Sequence, residues 1–326
     1  MNIPRTINRL RDLGGLATLH QYRWPVIFGL LISTGLLVAF IGITVEFPSA
    51  IEYSPDRWID RRFDWMVQHW RGFFHDGLTP ALLKVLVRIE KFMLWVPWWL
   101  FIATVGLLAW RVSGRTMALV SITGLMFVGM VDLWEQSMRT LAVVGSAAFM
   151  SVALALPIGI IMSKNDLVQS LVRPILDGMQ TMPSFVYLIP VIYFLGLGKV
   201  PAVLATMVYS MPPAIRLTNL GIRLVSPELV EAARAFGTTS WQLLVKVELP
   251  LARPTIMAGV NQTIMMAMAM VVVASMVGAK GLGADILAGI MNLEVGTGLM
   301  GGIGIIVLAV IIDRISQGFA KDPRQS

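Results

Sequence analysis

Apolar residues run through this chain in blocks of membrane length, with polar residues gathered between them. A helix needs about 20 mostly apolar residues to cross the hydrocarbon of a bilayer. Blocks of this kind occupy residues 24–43, 92–110, 116–132, 139–163, 184–198, 200–217, 254–278 and 299–318. The pattern predicts an all-α polytopic membrane protein with about eight transmembrane helices. The 184–198 block is short and contains Pro190, and the 200–217 block contains Pro212 and Pro213. Prolines are tolerated in spanning helices where neighbours satisfy the freed carbonyls. Each of these reads either as a packing kink or as a bend beside a transport path. The opening MNIPRTINRLRDLGGLATLHQYRW is basic and too long for a signal-peptide n-region, which predicts an uncleaved first membrane helix.

Lys and Arg in the short connections set the orientation. With eight spans, one side receives Arg5, Arg9, Arg11 and Arg23, then Arg111 and Arg115, then Lys164 and Arg173. The same side receives Arg216, Arg223, Arg234, Lys246 and Arg253, and finally Arg314, Lys321 and Arg324, whereas the opposite short loops hold Arg139, Lys199 and Lys280. Both termini are therefore expected in the cytoplasm. Residues 44–91 then lie outside, with seven basic and seven acidic residues. Ser54 is placed to cap a helix with Pro55 at its first position. Ile59, Phe63, Met66, Trp70 and Phe73 follow on one face, and Thr79-Pro80 repeats the start signal. With Trp58 and Trp65, this reads as one or two helices lying in the headgroup layer or packed on the other helices.

The most polar interruption on the cytoplasmic side is residues 218–253. Ser226-Pro227-Glu228 is a helix start. The first helix is expected from Pro227 to Phe236, with Gly237 as a left-handed stop. Thr239 to Gln242 spells T-x-x-Q, a capping box for a second short helix that Pro250 is expected to block. Leu229, Ala232, Ala233 and Phe236 form an apolar face on the first helix. Two readings stand for this helix–turn–helix: a stable loop, or a knob that docks on another protein and carries force to the membrane helices.

Composition narrows the function. Hydrophobic residues make up 56% and charged residues 14% of the 326, with a mean hydropathy of +0.74. Soluble domains carry about 25% charged residues. The net charge of +7 reads as basic cytoplasmic loops and not as a nucleic-acid site. There is no cysteine, no G-x-x-x-x-G-K-[ST] phosphate loop (GAKGLGAD at 278–285 has the wrong order), no H-E-x-x-H and no G-x-S-x-G. His20, His69 and His75 all fall outside the blocks. No catalytic residue, metal site or cofactor is expected in this chain. The blocks also lack the buried acids of ion-coupled carriers, since Asp132 and Asp313 sit at block ends. Uphill movement of a solute would need energy from another chain. Polar residues inside the blocks are Gln180 and Thr181, then Asn261, Gln262 and Thr263. These line or gate a path, or they are interhelical hydrogen-bonding glue. The methionine-rich IMMAMAMVVVASM (264–276) suits a gate or simple packing. No aromatic cluster that could cage a cation lies near 254–278.

One spacing resembles a known family. E-A-A, three residues, G, nine residues, then V-x-L-P matches the cytoplasmic EAA loop of bacterial ABC importer permeases through Glu231, Ala232, Ala233, Gly237, Val247, Leu249 and Pro250. The valine stands where isoleucine is more usual. DGMQTMPSFVYLIPV (177–191), MPPAIRLTNLGI (211–222), PTIMAGVNQT (254–263) and DRISQGFA (313–320) resemble the permease subunit of ProU-type glycine betaine/L-proline importers. The resemblance covers most of residues 130–320 and is looser before that. It implies a type I ABC importer permease fold, with extra N-terminal helices in 1–135, a five-helix core in 136–320 and a cytoplasmic tail in 321–326. It implies ATPase coupling through Glu231, Ala232, Ala233, Arg234, Phe236 and Gly237. The implied partners are two copies of an ATP-binding subunit that holds ATP and Mg, an extracytoplasmic substrate-binding protein, a second permease copy and membrane lipid, in the bacterial inner membrane. The implied solutes are glycine betaine, proline betaine or proline. Choline, carnitine, trimethylamine N-oxide, or an ion-coupled carrier without an ATPase, are the alternatives.

Overall fold

The computed structural model describes residues 23–40 and 53–320. The basic positions Arg5, Arg9 and Arg11, the start of the 44–91 loop and the 321–326 tail lie outside the described residues. Two compact units divide the chain at Asp64/Trp65. In the first, helix α1 (Arg23–Phe40) is apolar apart from Arg23, Ser33 and Thr34, and its large described side chains, such as Leu31 and Leu36, are exposed. Helix α2 (Asp56–Arg71), within which the division falls, begins on the Pro55 carbonyl, which accepts from the Trp58 and Ile59 amides, and none of its residues is buried.

A π-helical turn, Gly72–Leu78, leads directly into α3 (Thr79–Trp95). Thr79-Pro80 is therefore not a fresh start. The Thr79 hydroxyl donates back to the Phe74 carbonyl at 2.7 Å, and Pro80 sits where the wide turn leaves its missing N–H harmless. The expected 92–110 span is also divided. Val96 is extended before Pro97, and α4 (Trp98–Ser113) departs at 95° to the preceding helix. Helix α5 (Arg115–Met130) returns alongside it.

The bundle is organised by α6 (Trp134–Lys164), 31 residues long with Pro157 inside it. Next comes α7 (Asp166–Thr181), which periodicity over long apolar blocks did not reveal. It is amphipathic, with Asp166, Gln169, Arg173 and Asp177 interrupting its hydropathy, so no apolar run of spanning length exists there. A 115° break separates α7 from the 3₁₀ turn Ser184–Tyr187 and α8 (Leu188–Leu195). Helices α9 (Lys199–Ser210) and α10 (Pro212–Arg223) form one 25-residue span, with the paired prolines at the start of α10. After the cytoplasm-type loop come α13 (Leu249–Ala269), the short α14 (Val271–Ser275), α15 (Leu282–Met291) and α16 (Val295–Ala320).

Among the described residues, three helices are long and apolar enough to cross a membrane, and the two bent pairs raise this to five. Their outer faces are apolar: Leu299, Ile303, Ile306 and Val310 form an exposed stripe on α16. A helix that is hydrophobic all round suits lipid on one side and protein on the other. Lipid tails remove the hydrophobic drive between helices, so close backbone approach must hold them. Helix α10 is gripped in this way from two sides. A Cβ on Gly159 of α6 would lie 2.6 Å from Thr218 Cβ, and one on Gly259 of α13 would lie 2.9 Å from Leu217 Cβ. The largest core joins Ile102, Leu125, Val144, Met268, Leu282 and Leu308, so α4 and α5 pack with α6 and the later helices.

Candidate functional site

The loop between α10 and α13 contains two short helices, α11 (Pro227–Ala235) and α12 (Ser240–Leu243). Ser226 begins α11, but its hydroxyl bonds to the Glu228 carboxylate and not to a backbone amide. The C-terminus is closed fully. Gly237 has φ +76°, its N–H donates to the Arg234 carbonyl at 2.9 Å, and the Thr238 N–H donates to the Ala233 carbonyl at 3.3 Å. This paired closure is the Schellman motif, and it requires the left-handed residue that glycine supplies cheaply. The capping box of α12 is present in both directions: the Gln242 amide donates to Thr239 Oγ1 at 3.3 Å, and the Thr239 amide to Gln242 Oε1 at 2.9 Å.

Helix α11 buries nothing. Glu231, Ala232 and Arg234 are exposed, Ala233 is half-buried, and the Phe236 ring at its tip is 90% exposed, with Trp241 at 72% just beyond. The aromatic tip and the small alanines thus leave apolar surface open on this helix. Pro250 does not end the second helix. A π-helical turn, Leu244–Glu248, carries the chain straight into α13, with Pro250 in the first turn where an N–H is dispensable.

The roots of the loop are polar and paired. Arg223, the last residue of α10, donates to Asn219 Oδ1 at 3.0 Å, to the Met162 carbonyl at 2.9 Å and to Asp166 Oδ1 at 2.7 Å. Glu248 on the return limb is buried, and its carboxylate accepts from Lys164 Nζ.

The polar positions expected along a path are placed as follows. Gln180 and Thr181 are exposed at the end of α7, and the Thr181 hydroxyl donates to the Gly178 carbonyl at 3.0 Å. Asn261 is half-buried against α16: its Nδ2 donates to Asp313 Oδ1 at 2.8 Å, and its Oδ1 accepts from Ser316. Gln262 is exposed, whereas Thr263 is fully buried with an unpartnered hydroxyl. The three consecutive residues thus point to three different environments.

Residues 155–325 match the family described as the binding-protein-dependent transport system inner membrane component. The chain is 42% identical to the glycine betaine/proline betaine transport system permease protein ProW of Escherichia coli, over 82% of this chain and 76% of that one. It is 43% identical to the glycine betaine transport system permease protein OpuAB of Bacillus subtilis, over 79% of this chain and 92% of that one. This chain belongs to that permease family. It is also 42% identical to the glycine betaine/carnitine transport permease protein GbuB of Listeria monocytogenes, over 81% of this chain and 94% of that one. The inward-facing MetNI methionine ABC transporter shares its fold with a TM-score of 0.52 at 22% identity, over 56% of this chain and 91% of that one.

In this ABC permease the loop from Glu231 to Pro250 falls inside the matched region. Sequence reasoning counted Lys164 and Arg223 only as positive charges and passed over Glu248. The available signal was a lone acid in V-E-L-P, on the threshold of an apolar helix, where an unpaired carboxylate is costly. Of Arg216 and Asp177, which ion-pair α10 to α7, the first was legible only as a positive charge and the second only as part of the 177–191 stretch.

Proposed function

We propose that this permease is the transmembrane subunit of an ATP-driven importer for compatible solutes of the quaternary ammonium or betaine type, in the bacterial inner membrane. The observation that carries the reading is α11: closed at its C-terminus by Gly237, with no buried residue and tipped by the exposed Phe236, in the loop where Lys and Arg gather. It serves as the coupling helix, with Glu231, Ala232, Ala233, Arg234, Phe236 and Gly237 seated on a separate ATP-binding subunit that supplies ATP and Mg. One loop per chain implies two permease copies for two ATPase subunits. A substrate-binding protein delivers the solute from outside. Glycine betaine is the term shared by the names of the three relatives above, and GbuB adds carnitine.

ATP-driven closure of the ATPase pair pushes α11 and swings the helix bundles as rigid bodies, so the solute is offered to one side at a time. Gln180, Thr181, Asn261, Gln262 and Thr263 are the path residues in this reading, with Asn261 also holding α13 to α16.

The test is uptake of labelled glycine betaine by cells carrying the permease with its ATPase and binding protein, wild type against Gly237→Pro. Proline cannot adopt a φ of +76° and removes the N–H that closes the turn. Uptake by the wild type, abolished in the variant at equal membrane abundance, supports the reading. Equal uptake by both removes α11 from the mechanism. Absence of uptake by the wild type removes glycine betaine as the solute.

A further inference from the structure

The loop that carries α11 leaves and re-enters the bundle beside one short segment, residues 162–166, where α6 ends and α7 begins. The outgoing limb is tied there by Arg223, to the Met162 carbonyl and the Asp166 carboxylate. The return limb is tied there by the ion pair of Glu248 with Lys164. Between these ties, Asn165 caps α7, its Oδ1 accepting from the Leu167 amide at 3.0 Å and the Val168 amide at 3.3 Å. Helix α7 buries Leu176 alone, and beyond this corner it is tied by Arg216 to Asp177 and by the Tyr187 hydroxyl to the Met179 carbonyl.

The remaining contacts of the loop roots are apolar, through Ile222, Leu244, Ala252 and Ile256. Such contacts are non-directional and let packed helices slide. Charge-assisted hydrogen bonds fix register. Glu248 is 5% exposed, but the Lys164 side chain keeps 43% of its surface in contact with solvent, and an ion pair open on one side adds little net stability. Its use is better accounted for by register than by stability.

We infer that Lys164, Glu248 and Arg223 are positioning residues that make α7 follow α11, so that the α6–α7 corner and the coupling helix move as one body. The inference rests on the reading of α11 as the ATPase-docking helix. It adds the route by which that motion reaches Gln180 and Thr181 at the far end of α7.

The chain has no cysteine, so Thr181→Cys provides a single thiol reporter on α7. The assembled transporter, with its ATPase, is placed in nanodiscs, and the rate of labelling by a soluble maleimide is measured without nucleotide and with ATP and vanadate. The ratio of the two rates reads the movement of α7 and does not depend on the solute. In the reporter background this ratio is expected to differ severalfold from one. Lys164→Gln with Glu248→Gln removes both charges and orphans neither, and is expected to return the ratio to near one while the ATPase stays bound and hydrolyses ATP. The reversed pair Lys164→Glu with Glu248→Lys is expected to restore it. Arg223→Gln is the milder variant, because Asp166 is exposed and tolerates the loss of its partner. It is expected to reduce the response by half or more, and it decides the matter if the doubly neutral variant does not assemble. An unchanged ratio in these variants, or a ratio of one in the reporter background, overturns the inference. Loss of glycine betaine uptake bears on the import reading alone.

Discussion

At the end of the bundle opposite the α11–α12 loop, a single carboxylate holds three helices. Glu90 of α3 is 7% exposed and accepts from Arg139 Nη1 of α6 at 2.6 Å and from Lys199 Nζ of α9. Glu90→Gln keeps the shape and removes the charge. Breaking a buried ion pair by deleting one partner costs about 3–5 kcal/mol, because the other charge is stranded. Here the stranded side chains keep some water, at 24% exposure for Arg139 and 23% for Lys199, and Arg139 retains Glu135. The expected loss is therefore smaller, about 2 kcal/mol. For 326 residues, at an unfolding entropy of about 2.1 cal/mol/K per residue, that corresponds to a fall of roughly 3 °C in Tm. The assay is thermal unfolding of the purified permease followed by the fluorescence of its tryptophans. Burial limits screening by salt, so the deficit should persist at high ionic strength. A Glu90→Gln protein that melts with the wild type, or whose deficit vanishes in salt, would refute the claim that this carboxylate ties α3 to the core.

Two further substitutions test the packing and the path. Gly159→Ala is expected to destabilise by about 1–3 kcal/mol, since its Cβ would meet Thr218 and the Ile215 carbonyl. Gly145→Ala in the same helix has open space and should be neutral or stabilising by up to about 1 kcal/mol; thermal unfolding of the pair distinguishes crowding from helix propensity. Asn261→Ala is expected to cost about 1 kcal/mol through its lost bonds to Asp313 and Ser316. Gln262→Ala, at an exposed site, should leave the melting curve unchanged, so a fall in its glycine betaine uptake at equal abundance would mark it as a path residue.

What the sequence disclosed and what it hid follow from the range of the interactions involved. Helix α11 and its turn are local: Pro227 at the start, Gly237 at the left-handed position and the Thr239–Gln242 box involve neighbours within five residues, and the geometry reproduces each of them apart from the idle Ser226 cap. Helix α7 was hidden because an amphipathic helix has no apolar run, even when both its faces are used. The breaks at Val96-Pro97 and at Met182-Pro183 fall inside or beside apolar stretches, where hydropathy alone does not register a proline. The start signal at Thr79-Pro80 and the stop signal at Pro250 misled for a common reason. A π-helical turn precedes each proline and lets a helix continue where an α-helix would stop. The partners of Glu90 lie 49 and 109 residues away and that of Glu248 lies 84 away, separations at which a charge pattern on one strand of sequence carries no pairing information.

These long-range pairs have one helix in common. Arg139 stands near the beginning of α6 and Lys164 at its end, so the two ion clusters sit on a single 31-residue strut, about 46 Å long at helical rise. Between them α6 meets its neighbours through small residues and hydroxyls: Gly159 against Thr218, and Ser151 bonded to Ser210 at 2.9 Å. Register is therefore specified at the two ends by charge, and the middle is packed by contacts that depend on shape. A strut held in this way transmits a push along its axis and resists sliding, whereas an all-apolar bundle would let its helices slip. If the coupling loop drives the far end of the bundle, α6 is the element best built to carry that push. Weakening Lys164–Glu248 and weakening Glu90–Arg139 should then reduce transport by the same route, and the loss in the double variant should fall short of the sum of the two single losses.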